Sequence, residues 1–183
     1  MLRATAPSPR NALRYDRLRI LLVDDNAHMR QLLAAVLRSV GVREVFEAGD
    51  GAEALQLLRD QHVDIVMTDL AMKGIDGMDL VRTLRTSRHS PCPMVPIIVV
   101  SGHATIRAVH AARAAGANEF LAKPITARGV IERIHQVIGH ARAFIRSDDY
   151  FGPDRRRRTE VTFRGPWRRA TDAVLQMAAD LDG

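Results

Sequence analysis

Arg19-Ile20-Leu21-Leu22-Val23-Asp24-Asp25 decides the fold. An unbroken apolar run closed by two acids reads as a short strand buried on both faces, because a half-solvated strand would alternate apolar with polar residues. The next stretch has a different period. Met29, Leu32, Leu33, Val36, Leu37 and Val40 recur three and four apart, with Arg30 and Arg38 off that stripe. This predicts an amphipathic helix, and Gly41 stands where such a helix stops.

The strand-then-helix unit repeats. Val42 to Ala48 predicts a second strand, and Asp50 caps a helix carrying Ala54, Leu55, Leu57 and Leu58. Val63 to Asp69 predicts a third strand, followed by a helix over Met78 to Leu84. A proline-broken loop from Ser90 to Pro96 leads to a fourth strand, Ile97 to Val100. Thr105 caps a helix through Ala115, ended by Gly116. Glu119 to Ala122 predicts the fifth strand, and Thr126 caps a last helix bearing Val130, Ile131, Ile134, Val137 and Ile138. Strands joined through helices imply right-handed crossovers, hence an α/β fold with a doubly wound five-stranded parallel sheet and helices on both faces. In such sheets ligands bind beyond the carboxyl ends of the strands.

Composition bounds the reading. At 183 residues and 46% hydrophobic content the chain can bury a core without disulfides, so wholesale disorder is excluded. Cys92 is the only thiol, which precludes an intramolecular disulfide and points to a reducing compartment. The opening MLRATAPSPR carries no apolar stretch of the secretory kind. No apolar run approaches the roughly 20 residues that span a bilayer. A cytoplasmic protein without a membrane span is therefore expected.

Charge divides the chain further. Residues 1–19 hold five arginines against Asp16, residues 20–140 balance, and residues 141–183 hold nine arginines against seven acids. The formal excess of +6 thus belongs to the ends. Residues 1–17, with Pro7 and Pro9 among Ser, Thr and Arg, read as a flexible basic arm, residues 18–142 as the domain, and residues 143–183 as an Arg-rich tail. Within the tail, Gly152-Pro153-Asp154-Arg155-Arg156 is echoed by Gly165-Pro166-Trp167-Arg168-Arg169. Trp167, Ala170, Val174, Leu175, Ala178 and Leu181 have helical spacing, which predicts a short amphipathic helix, either free or folded back on the domain.

The carboxyl ends of the predicted strands carry the chemistry. The first ends in Asp24-Asp25, the third in Asp69, the fourth in Ser101, and the fifth leads to Lys123-Pro124. Lys123 and Lys73 are the only lysines among 27 basic residues, and a lysine supplies a compact, movable point charge. Three acids on one rim repel one another unless a cation joins them. Hard oxygen donors suit Mg²⁺, which takes one or two carboxylates, keeps waters and accepts phosphate oxygen. A carboxylate can be the nucleophile toward phosphorus, with an ammonium and a hydroxyl receiving the remaining oxygens.

The ordered runs ILLVDD, DIVMTDLAMKGIDGMDL, PIIVVSG and FLAKP resemble the receiver domain of two-component response regulators over roughly residues 18–142. The resemblance implies a flavodoxin-like sheet in the order 2-1-3-4-5. It implies Asp69 as phosphoacceptor, and Mg²⁺ held by Asp25, Asp69 and the backbone carbonyl of Ala71, with Asp24 acting mainly through bound water. Ser101 and Lys123 would bind the phosphoryl group, Ser101 and Phe120 would switch, and the bond before Pro124 would be cis. Lys73 stands where many relatives have proline, and Ala71 and His103 occupy positions that influence how fast the phosphoryl is lost.

The expected role is a response regulator that accepts phosphoryl from a histidine kinase or histidine phosphotransfer protein and switches its binding to a protein target or to a second copy as a homodimer. It is not expected to be a multiple-turnover enzyme. Rival readings are a transcriptional regulator whose basic tail contacts DNA, a Mg²⁺-dependent phosphohydrolase, and a phosphate sink without output. DNA binding is disfavoured because acids flank the arginine run and the tail offers no helix-turn-helix pair.

Overall fold

A computed structural model describes residues 14–155 and 173–175. After a 3-10 turn at Tyr15–Arg17, five strands alternate with five helices: β1 Arg19–Val23, α1 Ala27–Ser39, β2 Glu44–Ala48, α2 Gly51–Asp60 and β3 Ile65–Asp69, then α3 Gly77–Thr86, β4 Ile97–Ser101, α4 Ile106–Ala115, β5 Glu119–Ala122 and α5 Ala127–Gly139. The strands form one parallel sheet in the order β2-β1-β3-β4-β5, as expected. No helix among the described residues is long and apolar enough to cross a membrane.

The period-2 geometry of the strands builds two cores from continuous apolar runs. Leu21, Val23, Val66, Ile97 and Val99 face one side, where Ala54 and Leu58 of α2, Leu80, Val81 and Leu84 of α3 and Ala112 of α4 cover them. Their neighbours Ile20, Leu22, Ile65, Met67, Ile98 and Val100 face the other, beneath Leu33, Ala34 and Leu37 of α1 and Val130, Ile134 and Val137 of α5. Fully burying one such side chain contributes about 1.5–3 kcal/mol, so both faces of the sheet hold the fold.

Strand boundaries move where local hydrogen bonds compete. Val42 was expected in β2, but its amide donates to the carbonyl of Leu37 (3.0 Å) and completes the end of α1. Val63 and Asp64 were expected in β3. Instead the Asp64 carboxylate accepts the Arg19 amide (2.8 Å) while the Asp64 amide donates to the Arg19 carbonyl (2.8 Å), so the strand begins at Ile65. The helix expected from Met78 starts at Gly77, capped by the Asp76 side chain.

The region after Arg142 departs most from expectation. Residues 143–183 read as an Arg-rich tail, solvated or docked on a partner, with an amphipathic end either free or folded back on the domain. Residues 144–153 instead form an antiparallel hairpin, β6 Phe144–Ser147 and β7 Tyr150–Pro153, lying against α3 and α4. Phe144, Ile145, Tyr150 and Phe151 are buried, and the rings of Phe144 and Phe151 meet at 5.6 Å. Two apolar pairs around the turn Asp148-Asp149 supply the docking surface that the surrounding charge conceals. A third strand, β8 Ala173–Leu175, pairs with β6. Extended backbone there replaces part of the helix expected over residues 167–181, because pairing with β6 satisfies its peptide groups. The rest of that helix, the second copy of the echo and residues 1–13 of the arm lie outside the described residues.

Candidate functional site

Strand register brings the chemistry together. Asp69 pairs with Val100, so Ser101 follows one step beyond it, and Ser101 pairs with Ala122, so Lys123 follows in turn. The Lys123 amide donates to the Ser101 carbonyl (2.9 Å), fastening the two loops, and the Lys123–Pro124 bond is cis. All these residues leave the same edge of the sheet.

The charges meet at Lys123. Its ammonium lies 3.3 Å from an Asp24 carboxylate oxygen and 3.5 Å from one of Asp69, bridging residues from β1 and β3. Asp24 is buried; its other oxygen accepts the Asn26 amide (2.8 Å), and its backbone carbonyl accepts from Arg30 (2.7 Å). Asp25 is exposed and accepts the Lys73 amide over a long 3.4 Å. Burial pushes the Asp69 carboxyl above the ordinary aspartate range; the Lys123 charge opposes this and the Asp24 charge reinforces it. Ser101 is buried, and its hydroxyl oxygen accepts the His103 amide (3.1 Å). It therefore keeps its own hydrogen to donate. Phe120 is half-buried against the α2–α3–α4 core, and its carbonyl accepts from Arg133 (2.9 Å).

Among the described residues no three His, Cys, Asp or Glu side chains form a ready-made metal cage. The rim nonetheless fits a hard divalent cation. Two carboxylates, Asp24 and Asp69, meet one ammonium, Asp25 adjoins Asp24 in sequence, the donors are oxygens, and a Mg²⁺-type ion asks for only one or two carboxylates beside its waters. Such a rim can neutralise an anion arriving at Asp69 and receive its oxygens on Lys123 and Ser101. Asp24, Asp25, Asp69, Ser101 and Lys123 are brought to one edge; Ala71 is exposed in the loop after Asp69, and Phe120 stands back in β5.

Two supporting residues escaped the sequence reading. Arg30, legible only as a charge off the α1 stripe, ties the Asp24 carbonyl to Glu47, whose carboxylate it meets at 3.2 Å. Gly77 is the other. A Cβ there would lie 1.8 Å from the Asp69 carbonyl oxygen, while its amide donates to the Leu70 carbonyl (3.1 Å) and closes the loop after Asp69. The dipeptide Asp76-Gly77 at a helix start was the available signal.

Comparison with known proteins agrees with this geometry. The family model described as response regulator receiver domain matches residues 20–135. The chemotaxis protein CheY of Pseudomonas aeruginosa is 33% identical over 120 residues, covering 66% of this chain and 95% of the relative. CheY-3 of Vibrio cholerae is 32% identical over 120 residues, covering 66% of this chain and 91% of its own length. A solved putative response regulator from Chloroflexus aurantiacus superposes with a TM-score of 0.61 at 32% identity, over 67% of this chain and 99% of that one. The hairpin lies beyond the family match. With the sheet order, the ordered motifs and these matches in agreement, the chain belongs to the response regulator receiver domain family.

Proposed function

We propose that the chain accepts a phosphoryl group onto Asp69 from a phosphohistidine of a histidine kinase or phosphotransfer protein, and that this modification changes which protein it binds. The observation that carries the reading is the Lys123 ammonium held between Asp24 (3.3 Å) and Asp69 (3.5 Å) at the carboxyl edge of the sheet. An Asp69 oxygen attacks phosphorus in line; the P–N bond breaks, and the departing imidazole retains that electron pair. Lys123 offsets charge on the phosphoryl oxygens, and the Ser101 hydroxyl, oriented by the His103 amide, donates to one of them. Asp25, Asp69 and the Ala71 carbonyl would hold Mg²⁺, with Asp24 acting through bound water. The ion supplies charge neutralisation at the same oxygens.

Once formed, the phosphoryl draws Ser101 and the loop to Thr105 toward it, and Phe120 turns into the space released. The segment from Thr105 to Leu121 is then the bistable element that a protein target, or a second copy, reads. One phosphoryl per chain distinguishes this role from that of a hydrolase. The test is intact-mass measurement after incubation with Mg²⁺ and a small acyl phosphate. A single labile phosphoryl adduct on the wild type and none on Asp69→Asn is expected. No adduct under any donor, or an equal adduct on the variant, overturns the reading.

A further inference from the structure

The hairpin sits against both α3 and α4, and the residues flanking it are tied to the C-terminal half of α4 and the turn into β5. Arg113 of α4 donates to the Arg155 carbonyl at 2.5 Å. Gly116, the α4 C-cap, has a φ of +104°, and a Cβ there would lie 3.1 Å from the Phe151 carbonyl oxygen and 2.8 Å from Arg85 Cγ. Hairpin backbone and helix end thus have no room to approach further. Arg142, just before β6, donates to the carbonyls of Asn118 and Asp154 and lies 3.5 Å from a Glu119 carboxylate oxygen. Phe144 lies under the Arg85 guanidinium at 5.1 Å. Arg85 itself donates to the Gly116 carbonyl (3.0 Å) and the Asn118 side chain (3.1 Å).

Residues 113, 116, 118 and 119 all fall inside the Thr105–Leu121 segment. The ten residues of α4 make a rod of about 15 Å, one end following the Ser101 loop and the other carrying the hairpin. A shift of about 1 Å at the far end stretches these hydrogen bonds to about 3.5–4.1 Å, at or beyond the limit of useful length.

We propose that the β6–β7 hairpin is a latch on α4: docked, it holds the helix in the arrangement of the unmodified domain, and phosphorylation of Asp69 loosens it. The inference rests on the phosphoacceptor reading above. Coupling sets the direction of the converse effect: weakening the latch favours phosphorylation.

The test is hydrogen exchange of the full chain with and without acyl phosphate and Mg²⁺, with the Asp69 adduct followed in parallel by intact mass. Amides of residues 144–153 are expected to exchange about fivefold or more faster in the phosphorylated protein. Arg113→Ala is expected to speed their exchange without donor. It should also lower the donor concentration for half-maximal adduct. Phe144→Ala should do likewise, and Arg113→Ala keeps the test intact if that variant does not fold. An adduct with unchanged or slower hairpin exchange overturns the latch and leaves the phosphoacceptor standing. Absence of the adduct overturns the phosphoacceptor reading and the latch with it.

Discussion

Gly77→Ala should injure both the fold and the Asp69 site, although the new residue is the better helix former. An added Cβ would stand 1.8 Å from the Asp69 carbonyl oxygen, 2.8 Å from its carbonyl carbon and 3.0 Å from the Thr68 hydroxyl. Comfortable contact begins near 3.5 Å, so the Asp69 backbone and the helix start must part by about 1.7 Å. The obstacle is peptide backbone, which cannot rotate away as a side chain would. Overpacking of this kind costs about 1–3 kcal/mol or more, against which alanine returns at most about 1 kcal/mol of helix propensity. A net loss near 2 kcal/mol lowers the urea midpoint by about 1 M at a slope of roughly 2 kcal/mol/M. Displacing Asp69 by this distance should also slow adduct formation about 100-fold. Gly102→Ala is the control, because a Cβ there meets nothing within 4 Å although it adjoins Ser101. Equal midpoints for the two variants would refute the reasoning.

Other substitutions separate roles at the rim and beyond it. Lys123→Met removes the cation shared by Asp24 and Asp69, and should cut the rate of adduct formation about 100-fold or more while circular dichroism stays that of the wild type; an unchanged rate would remove Lys123 from the chemistry. Burial raises the Cys92 thiol, with Arg85 pulling the other way, so less thiolate is present near pH 8. Alkylation there should be slower than that of a small thiol and should keep accelerating as pH rises past 9; a plateau below pH 8 would contradict this. Asp50→Ala takes the acceptor from the Ala52 and Glu53 amides (2.8 and 2.9 Å) and should cost about 1–2 kcal/mol in denaturant unfolding.

Legibility in the bare chain tracks its periods. Strands buried on both faces announce themselves as apolar runs, and the acids, serine and lysine that close them fall on one edge because the strands are parallel. The parallel sheet and the rim were therefore legible, while the strand order came only with the resemblance to receiver domains. Boundaries were not, because Asp64 and Val42 spend hydrogen bonds on Arg19 and Leu37, distant or already committed to a helix. Gly77 was not legible as a point of backbone contact, which only the folded chain creates. The hairpin was hidden for the same reason. Its two apolar pairs are too short to signal a strand amid acids and arginines, and their partner, Arg85, sits far earlier in the chain.

Arg85 is nearly fully buried, and its hydrogen bonds run to the carbonyls of Gly116, Pro93 and Val95 and to the Asn118 amide oxygen. Burial draws its guanidinium down to about 10.

These contacts lie where the strands begin, whereas Asp24, Asp69 and Lys123 lie where they end, so the molecule has two poles separated by the length of a strand. A donor protein visiting the acidic pole and a partner seated on the docked hairpin would approach from opposite directions. Neither would obstruct the other's traffic. Both could occupy the domain in the same moment, a geometry suited to relaying a message between two bodies instead of handing it off in turns.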